Sequence, residues 1–203
     1  MSAVGSIRLF GWDLIFWFWR SLTVSVFIEF LASEQTVASI LELDIFLPLL
    51  LFTGVVWYLF RLFSRQPALN RVAEDLVIGR RLLPGEVEGE FTNYVDLTAE
   101  FAEPLVIRRL AGYRSFPILD GAAPDLGELL DVIGRLSPGR TFIHCAQRHG
   151  RTGLFALALM LKIGMVQTCE EGLEKLRSVR PGINLSAVQS RCIESVAGKL
   201  RLT

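Results

Sequence analysis

Apolar residues are concentrated in the first third of the chain, and the longest uninterrupted apolar run lies between Ile45 and Phe60. This run, IFLPLLLFTGVVWYLF, contains sixteen residues without a charge, and it extends to Phe63 if the Arg61 side chain turns toward water. As a helix the extended run covers roughly 28 Å, close to the thickness of a bilayer core. Trp57 and Tyr58 stand where an interfacial aromatic belt is expected. The pattern predicts a transmembrane helix rather than a buried core helix.

A second apolar segment, WDLIFWFWRSLTVSVFIEFLA, runs from Trp12 to Ala32 and is also long enough to span a membrane. It contains Arg20 and Glu29, and a charge at the bilayer centre costs about 2.5 to 3.5 kcal/mol on insertion scales. The segment is therefore either a second span or an amphipathic helix that lies in the membrane interface. The internal charges do not fit a signal peptide. We take residues 1–65 as a membrane hairpin of two predicted transmembrane helices.

Arginines flank the predicted hairpin on both sides. Arg8 precedes it, the linker SEQTVASILELD carries only acidic charges, and Arg61, Arg65, Arg71, Arg80 and Arg81 follow the second apolar run. The positive-inside rule then places both termini in the cytoplasm and the acidic linker outside. The chain is predicted to be a membrane protein with two spans, whose domain after the hairpin faces the cytoplasm.

After Pro67 the pattern changes to short apolar runs that are separated by glycine and proline turns. LVIG, NYVDL, GYRSFPIL and TFIHC predict four strands, and DLGELLDVIGRL predicts an amphipathic helix. Three further helical patterns cover Thr152–Lys162, Cys169–Ser178 and Leu185–Leu200. This alternation predicts an α/β domain over residues 66–203, with a short central sheet flanked by helices.

Composition excludes some classes of function. The 203 residues include 21 basic and 21 acidic ones, so the formal net charge is zero and a general nucleic-acid binder is not expected. The three cysteines, at positions 145, 169 and 192, are odd in number and widely spaced. They predict unpaired thiols in a reducing compartment rather than a disulfide framework, and Cys169 and Cys192 fit small buried residues of helices.

The stretch FIHCAQRHGRTG, from Phe142 to Gly153, contains both histidines of the chain and one cysteine. His144, Cys145 and His149 are the nearest set of metal-binding side chains, but neighbouring residues on a strand point to opposite faces. The sequence therefore predicts no metal site and no cofactor.

The same stretch has the chemistry of a phosphate-binding nucleophile. Cys145 ends a predicted strand and faces the start of the next helix, where unpaired amides and the helix dipole favour a thiolate. The loop of five residues between Cys145 and Arg151 can turn its amides around one tetrahedral anion, and the planar guanidinium can bind two phosphate oxygens. This arrangement suits attack on a phosphomonoester.

HCAQRHGRTG resembles the HCxxGxxR[ST] signature of the cysteine-dependent protein tyrosine phosphatase superfamily, and in particular its dual-specificity branch. FPILDGAAPDLGELLDVI is similar to the acid-bearing segment of kinase-associated phosphatases in that branch. VRPGINLSAVQ is similar to a segment that follows the signature in tyrosine phosphatases. The resemblance covers most of Asn70 to Leu200 and leaves the hairpin outside it.

The resemblance implies a role for each matching residue. Cys145 would form a phosphocysteine intermediate, and Arg151 would bind phosphate and stabilise the transition state. Thr152 would help the thiolate to leave, and His144 would orient the cysteine from beneath the loop. Asp120 would protonate the leaving oxygen and then activate water. The residues expected to surround the phosphate are Ala146, Gln147, Arg148, His149, Gly150 and Arg151.

Several assignments stay open. Asp125 is the second candidate for the acid, although it also fits the N-cap of the helix that begins at Leu126. Asp96 fits the end of a strand and a turn better than a catalytic role. His149 fits the rim of the pocket better than an acid-base group. Gln189 matches a glutamine that positions water in tyrosine phosphatases, and it fits equally well as a surface residue of a helix.

One residue departs from the signature, because Arg148 stands where the family usually has glycine. If the backbone there is left-handed, a side chain costs about 1 kcal/mol. Arg148 would then either add positive charge at the pocket rim or weaken turnover while the loop still binds phosphate. The sequence thus allows a working phosphatase or a catalytically silent phosphate-binding module.

The substrate class also stays open. The motifs favour a phosphoprotein phosphatase acting on phosphotyrosine, phosphoserine or phosphothreonine. A membrane hairpin would also suit a phospholipid phosphatase acting on phosphatidylglycerophosphate or phosphoinositides, because it raises the local concentration of the site near lipids. Six arginines are candidates for the basic rim of such a site: Arg80, Arg81, Arg108, Arg109, Arg114 and Arg148.

Overall fold

A computed structural model describes residues 67–87, 90–100, 102–146 and 149–201, together with Val55, Leu59 and Arg61. The chain divides into two units, Met1–Ser64 and Arg65–Thr203, and the described residues lie almost entirely in the second unit. Apart from the three residues named singly, the predicted hairpin lies outside the described residues, so its spans and orientation stay predictions. Among the residues that are described, no helix is long and apolar enough to cross a membrane.

Five strands form one mixed sheet with the order β1-β2-β5-β3-β4. Their bounds are β1 Leu69–Arg71, β2 Leu76–Arg80, β3 Asn93–Thr98, β4 Tyr113–Ile118 and β5 Thr141–Cys145. β1 pairs antiparallel with β2, and the other neighbours are parallel. The carboxyl ends of β2 to β5 therefore lie at one edge of the sheet, with β5 in the centre. Open α/β sheets bind their ligands at this edge.

The alternation of side chains along each strand separates two apolar clusters. Val77, Tyr94 and Phe142 pack with Leu82 and Ile107 in the smaller cluster. The residue that follows each of those three on its strand belongs to the main core instead: Ile78, Val95 and Ile143. Successive strand residues point to opposite faces, so the two clusters lie on opposite sides of the sheet.

Five helices accompany the sheet: α1 Leu105–Arg108, α2 Leu126–Gly134, α3 Gly150–Lys162, α4 Cys169–Val179 and α5 Ala187–Arg201. A 3₁₀ turn covers Pro84–Glu86. α3 is buried along nearly its whole length, and α2, α4 and α5 contribute to the main core with it. The four predicted strands and four predicted helices are confirmed, with helix ends that differ by at most two residues. The α/β fold with a short central sheet is confirmed as well.

Two elements are absent from the sequence prediction. β1 has three residues and α1 has four, which is too short for either a two-residue or a 3.6-residue period to be detected. The prediction that Asp96 ends a strand in a turn is wrong. Asp96 lies inside β3, and the pairing of β3 with β4 shifts register between Asp96 and Thr98.

Candidate active site

Cys145 is the last residue of the central strand, and its side chain is fully buried. The side chain belongs to the main core, on the side of the sheet covered by α3. The Thr152 hydroxyl, in the first turn of α3, donates a hydrogen bond to the Cys145 sulfur at 3.1 Å. The sulfur thus lies at the N-terminal end of a thirteen-residue helix, where unpaired backbone amides and the helix dipole favour a bound anion.

His149 immediately precedes α3 and has a left-handed backbone with φ of 60°. A non-glycine residue in this conformation costs roughly 1 to 2 kcal/mol, so surrounding contacts must maintain it. Arg180 Nε donates to His149 Nδ1 at 2.8 Å, and the His149 carbonyl accepts from Gly153 N–H at 2.7 Å. Burial, followed by the charge of Arg180, lowers the pKa of His149 to about 4. His149 is therefore neutral at pH 7, which fits a loop residue better than an acid-base group.

Arg180 connects this loop to β1, the outermost strand on one side of the sheet. Its guanidinium is buried, and Nη1 donates to Asn70 Oδ1 at 2.7 Å while Nε holds His149. Burial lowers the pKa of Arg180 to about 10, so it stays charged at neutral pH. Arg180 thus holds His149 of the loop in place by a hydrogen bond. The sequence did not predict this role for Arg180.

Arg151 is almost completely buried in the first turn of α3. Its Nη1 donates to Glu100 Oε2 at 2.8 Å and to the Ile118 carbonyl at 2.9 Å. Burial alone would lower the pKa of Arg151, but the hydrogen bond that it donates to Glu100 and the nearby Cys145 and Asp120 raise the pKa overall. The guanidinium is thus charged and fixed, and its Nε has no hydrogen-bond partner among the described residues.

Asp120 follows β4 at the same edge of the sheet. Its Oδ1 lies 3.7 Å from Arg151 Nε, and its side chain is about one-third exposed. The two residues after Asp120 accept hydrogen bonds from the start of the α5 region. Ser186 Oγ donates to the Gly121 carbonyl at 2.8 Å, and Gln189 Nε2 donates to the Ala122 carbonyl at 2.9 Å. The structure therefore places the predicted acid beside the predicted phosphate-binding arginine, in a loop that is held in place.

Gln189 is buried, so the interpretation as a helix-surface residue is wrong. Besides its bond to Ala122, its Oε1 accepts from Ser186 N–H at 3.0 Å. A Cβ on Gly150 would lie 3.0 Å from Gln189 Oε1, which shows how closely Gln189 approaches the loop. Gln189 therefore links the cysteine loop to the loop that carries Asp120.

Asp125 is confirmed as the N-cap of α2. Its Oδ1 accepts hydrogen bonds from the backbone N–H groups of Gly127 at 2.7 Å and Glu128 at 3.0 Å. These are the orphan amides that an N-cap satisfies. The structure thus gives Asp125 a structural role and leaves Asp120 as the candidate acid.

His144 lies on the other side of the sheet from Cys145, as neighbouring strand positions require. Its ring stacks on Phe142 and meets Tyr94 edge-on, and its Nε2 is 3.7 Å from Asp96 Oδ1. Burial is the main reason that the pKa of His144 falls to about 4. His144 is therefore neutral at pH 7, and its predicted role in orienting the cysteine stays a prediction.

Asp96 and Glu103 complete a buried acidic cluster around His144. Asp96 accepts from Tyr113 Oη at 2.9 Å, and Glu103 Oε1 accepts from Arg81 Nε at 2.8 Å. Ligand atoms of Asp96, Glu103 and His144 lie within 4.8 Å of one another, which is close enough for a metal ion. Three of the oxygens already accept hydrogen bonds from Arg81, Tyr113 and the Thr98 amide. These oxygens therefore serve as hydrogen-bond acceptors within a buried polar cluster. The prediction that the chain has no metal site stays a prediction.

Glu100 is a functional candidate that sequence reasoning missed. It follows the carboxyl end of β3 and forms the ion pair with Arg151. No local pattern singles out Glu100, because its closeness to Cys145 depends on β3 being the neighbour of β5. Ala146 and Gly150 are both buried, and their predicted contact with phosphate stays a prediction. Gln147 and Arg148 lie outside the described residues, so the question raised by Arg148 stays open.

All three cysteines are free thiols. Cys169 and Cys192 are half-buried on α4 and α5, and burial raises the pKa of both. A raised pKa leaves less of each thiol in the nucleophilic thiolate form at neutral pH.

No protein-family model and no curated protein matches the chain. Solved structures do match its fold. Tk-PTP in its active form is 21% identical with a TM-score of 0.59, and the match covers 66% of this chain and 98% of that one. Human DUSP28 is 17% identical with a TM-score of 0.58, over 67% and 97% of the two chains. PTPMT1 in complex with PI(5)P is 12% identical with a TM-score of 0.57, over 67% and 98%. At these identities the likeness shows the dual-specificity phosphatase-like fold.

Proposed function

We propose that the chain is a cysteine-dependent phosphatase that hydrolyses phosphomonoesters through a phosphocysteine intermediate. The observation that carries the proposal is the arrangement at the carboxyl edge of the sheet. There Cys145 ends the central strand 3.1 Å from the Thr152 hydroxyl, and the buried Arg151 lies beside Asp120. A nucleophile, a fixed cation and an acid at one helix N-terminus are the groups that phosphoryl transfer requires.

In the first step the Cys145 thiolate attacks phosphorus and a sulfur–phosphorus bond forms. The bond from phosphorus to the leaving oxygen breaks, and protonated Asp120 gives its proton to that oxygen. Arg151 and the loop amides bind the three equatorial oxygens, whose charge is spread in the transition state. Because Glu100 and the Ile118 carbonyl already hold Nη1, the guanidinium needs little reorientation when the phosphate arrives.

In the second step water attacks the phosphocysteine. Asp120, now ionised, takes a proton from that water, and the sulfur–phosphorus bond breaks to release inorganic phosphate. The Thr152 hydroxyl donates a hydrogen bond to the sulfur as it becomes a thiolate again, and this lowers the barrier to its departure.

The test is hydrolysis of an aryl phosphate by the full-length chain, without metal, from pH 5 to 8. Cys145→Ser is expected to abolish turnover, and Asp120→Ala to lower kcat by about 10² to 10⁴ fold, the range of general acid catalysis. Mass spectrometry of acid-quenched protein should find phosphate on the peptide that contains Cys145. No turnover at any pH would reject the phosphatase and favour the catalytically silent phosphate-binding module.

For the substrate we propose phosphoproteins first, on phosphotyrosine, phosphoserine or phosphothreonine, because the recognisable motifs and the fold belong to the dual-specificity type. A phospholipid is the second candidate, and the PI(5)P complex of PTPMT1 supports it. A panel of phosphopeptides, phosphoinositides and phosphatidylglycerophosphate separates the two by kcat/KM.

The membrane hairpin belongs to the same proposal. It is supported by the length of the apolar run from Ile45 to Phe60 and by the arginines that follow it. Cell fractionation tests it. A chain without residues 1–65 should leave the membrane fraction, and a full-length chain that is already soluble would contradict the hairpin.

A further inference from the structure

Exposed apolar side chains are concentrated in one segment of the chain, which comprises α1 and the outermost strand β4. Among the described residues from 67 to 201, six large hydrophobic side chains are exposed, and four of them fall between positions 105 and 119. These four are Leu105, Val106, Leu110 and Leu119, with Leu105 and Val106 exposed by 60% and 57%. Single exposed apolar residues are ordinary, whereas a cluster marks an interaction site.

The backbone of this segment is held so that these side chains face outward. Ile107 lies between them in sequence, and its side chain is buried against Val77, Leu82, Tyr94 and Phe142. Because Ile107 fixes the inner side of α1, its neighbours Leu105 and Val106 point away from the core. Their exposure is thus a consequence of the fold.

All charged side chains of this segment are positive. Residues 104–119 contain Arg108, Arg109 and Arg114, all exposed, and no acidic residue. The two partly exposed acids at the neighbouring edge, Glu100 and Asp120, both lie against Arg151. The 105–119 surface, defined by the four apolar residues and these three arginines, therefore combines apolar groups with positive charges that form no ion pair among the described residues.

The surface adjoins the candidate active site. Leu105 lies two residues after Glu103, whose Oε1 is 4.0 Å from His144 Nε2. Leu119 lies between Ile118, whose carbonyl holds Arg151, and Asp120. Both ends of the segment therefore lie near the edge of the sheet at which Cys145 lies, whereas Leu110 precedes the opposite end of β4.

We propose that the 105–119 surface docks on an anionic lipid bilayer. Arginines near such a bilayer each contribute about 1 kcal/mol of attraction, or roughly fivefold in affinity, and the apolar side chains between them enter the headgroup region. An anionic bilayer suits both kinds of side chain, because its headgroups attract the arginines and its interface accommodates the apolar side chains. The docking is independent of the hairpin and of turnover.

Hydrogen exchange of the full-length chain tests the docking locally, so that a membrane hairpin does not obscure the result. The chain is mixed with vesicles of phosphatidylcholine alone or with added phosphatidylserine, and amide exchange is read by mass spectrometry. Peptides from residues 104–119 should exchange more slowly with the anionic vesicles only, and high salt should remove the difference. Peptides from α4 serve as the internal reference.

Two sets of variants sharpen the test. Arg108→Gln, Arg109→Gln and Arg114→Gln together are expected to weaken the docking by roughly 100-fold and abolish the protection. Leu105→Ser with Val106→Ser should also abolish it, whereas Ile163→Ser with Val188→Ser, which changes two exposed apolar residues elsewhere, should not. Circular dichroism confirms that each variant is folded. Equal exchange with both kinds of vesicle, or protection that survives in the arginine variant, would overturn the proposal.

Discussion

Glu103→Gln is expected to change how the stability of the protein depends on pH. The Glu103 side chain is completely buried, and its Oε2 has no hydrogen-bond partner among the described residues. Burial is the main reason that the pKa of Glu103 rises from 4.5 to about 7, and Asp96 adds to the rise while Arg81 opposes it. Between these two pH values the folded protein holds a proton that the unfolded chain has lost.

The sign follows from proton linkage. Where the folded state binds more protons than the unfolded state, the free energy of unfolding falls as pH rises. The stability that protonated Glu103 provides is therefore complete below about pH 4.5 and is lost as pH rises through about 7. A difference of about 2.5 pKa units, from 4.5 to 7, corresponds to about 3 kcal/mol.

The assay compares the free energy of unfolding of the two proteins by urea titration at pH 5, 6, 7 and 8. Glutamine cannot ionise and still accepts a hydrogen bond from Arg81, so it imitates the protonated acid. The variant should gain about 2.5 kcal/mol relative to the natural protein between pH 5 and pH 8, because a small part of the difference is already present at pH 5. The comparison of the two proteins is necessary because His144 and His149, with pKa values lowered to about 4, destabilise the fold as pH falls below 6.5 in both.

Glu86→Gln is the matched control, because Glu86 forms a similar ion pair with Arg80 but is about one-third exposed. It shows how much of any effect comes from removing a charge rather than from burial. A constant difference between the natural protein and Glu103→Gln over this pH range would refute the reasoning. A difference that falls with pH would mean that the attraction of Arg81 outweighs the cost of burial.

Two further predictions concern the proposed chemistry. Glu100→Gln replaces a charge-assisted hydrogen bond to Arg151 by a neutral one, so KM for an aryl phosphate should rise by about tenfold with the fold intact, and an unchanged KM would mean that Arg151 is positioned without Glu100. Thr152→Ala removes the hydrogen bond to the Cys145 sulfur and should slow breakdown of the phosphocysteine by about 10 to 100 fold. A burst of product in stopped-flow measurements is then expected, and steady turnover at the natural rate would contradict this role for Thr152.

The sequence was sufficient for the elements and residues whose signal is local. The four strands and four helices that were predicted carry clear periodic patterns, and the spacing of Cys145 and Arg151 fixes a strand, a short loop and a helix start within a few residues. Asp120 was pointed to by the resemblance to the acid-bearing segment of kinase-associated phosphatases, and the structure places its Oδ1 3.7 Å from Arg151 Nε.

The supporting residues were not predictable in the same way. Glu100, Glu103 and Arg180 act through partners that are 51, 22 and 31 positions away in the chain: Arg151, Arg81 and His149. No local pattern contains such pairs, because they depend on which strands are neighbours. Asp96 was misjudged for the same reason, since a polar residue in a strand looks like a turn until a buried partner such as Tyr113 is known.

The central strand separates the proposed nucleophile from the buried acidic cluster around His144. Because successive side chains of β5 point to opposite faces, Cys145 lies with Thr152 on the side of α3, while His144 lies with Asp96 and Glu103 on the other side. Glu103 therefore acts on folding through a cluster that substrate does not touch, and Thr152 acts on turnover without contact with that cluster. The two variants should then behave independently: in the Thr152→Ala, Glu103→Gln double mutant, the changes in unfolding free energy and in phosphocysteine breakdown should each equal those of the single mutants within about 0.5 kcal/mol.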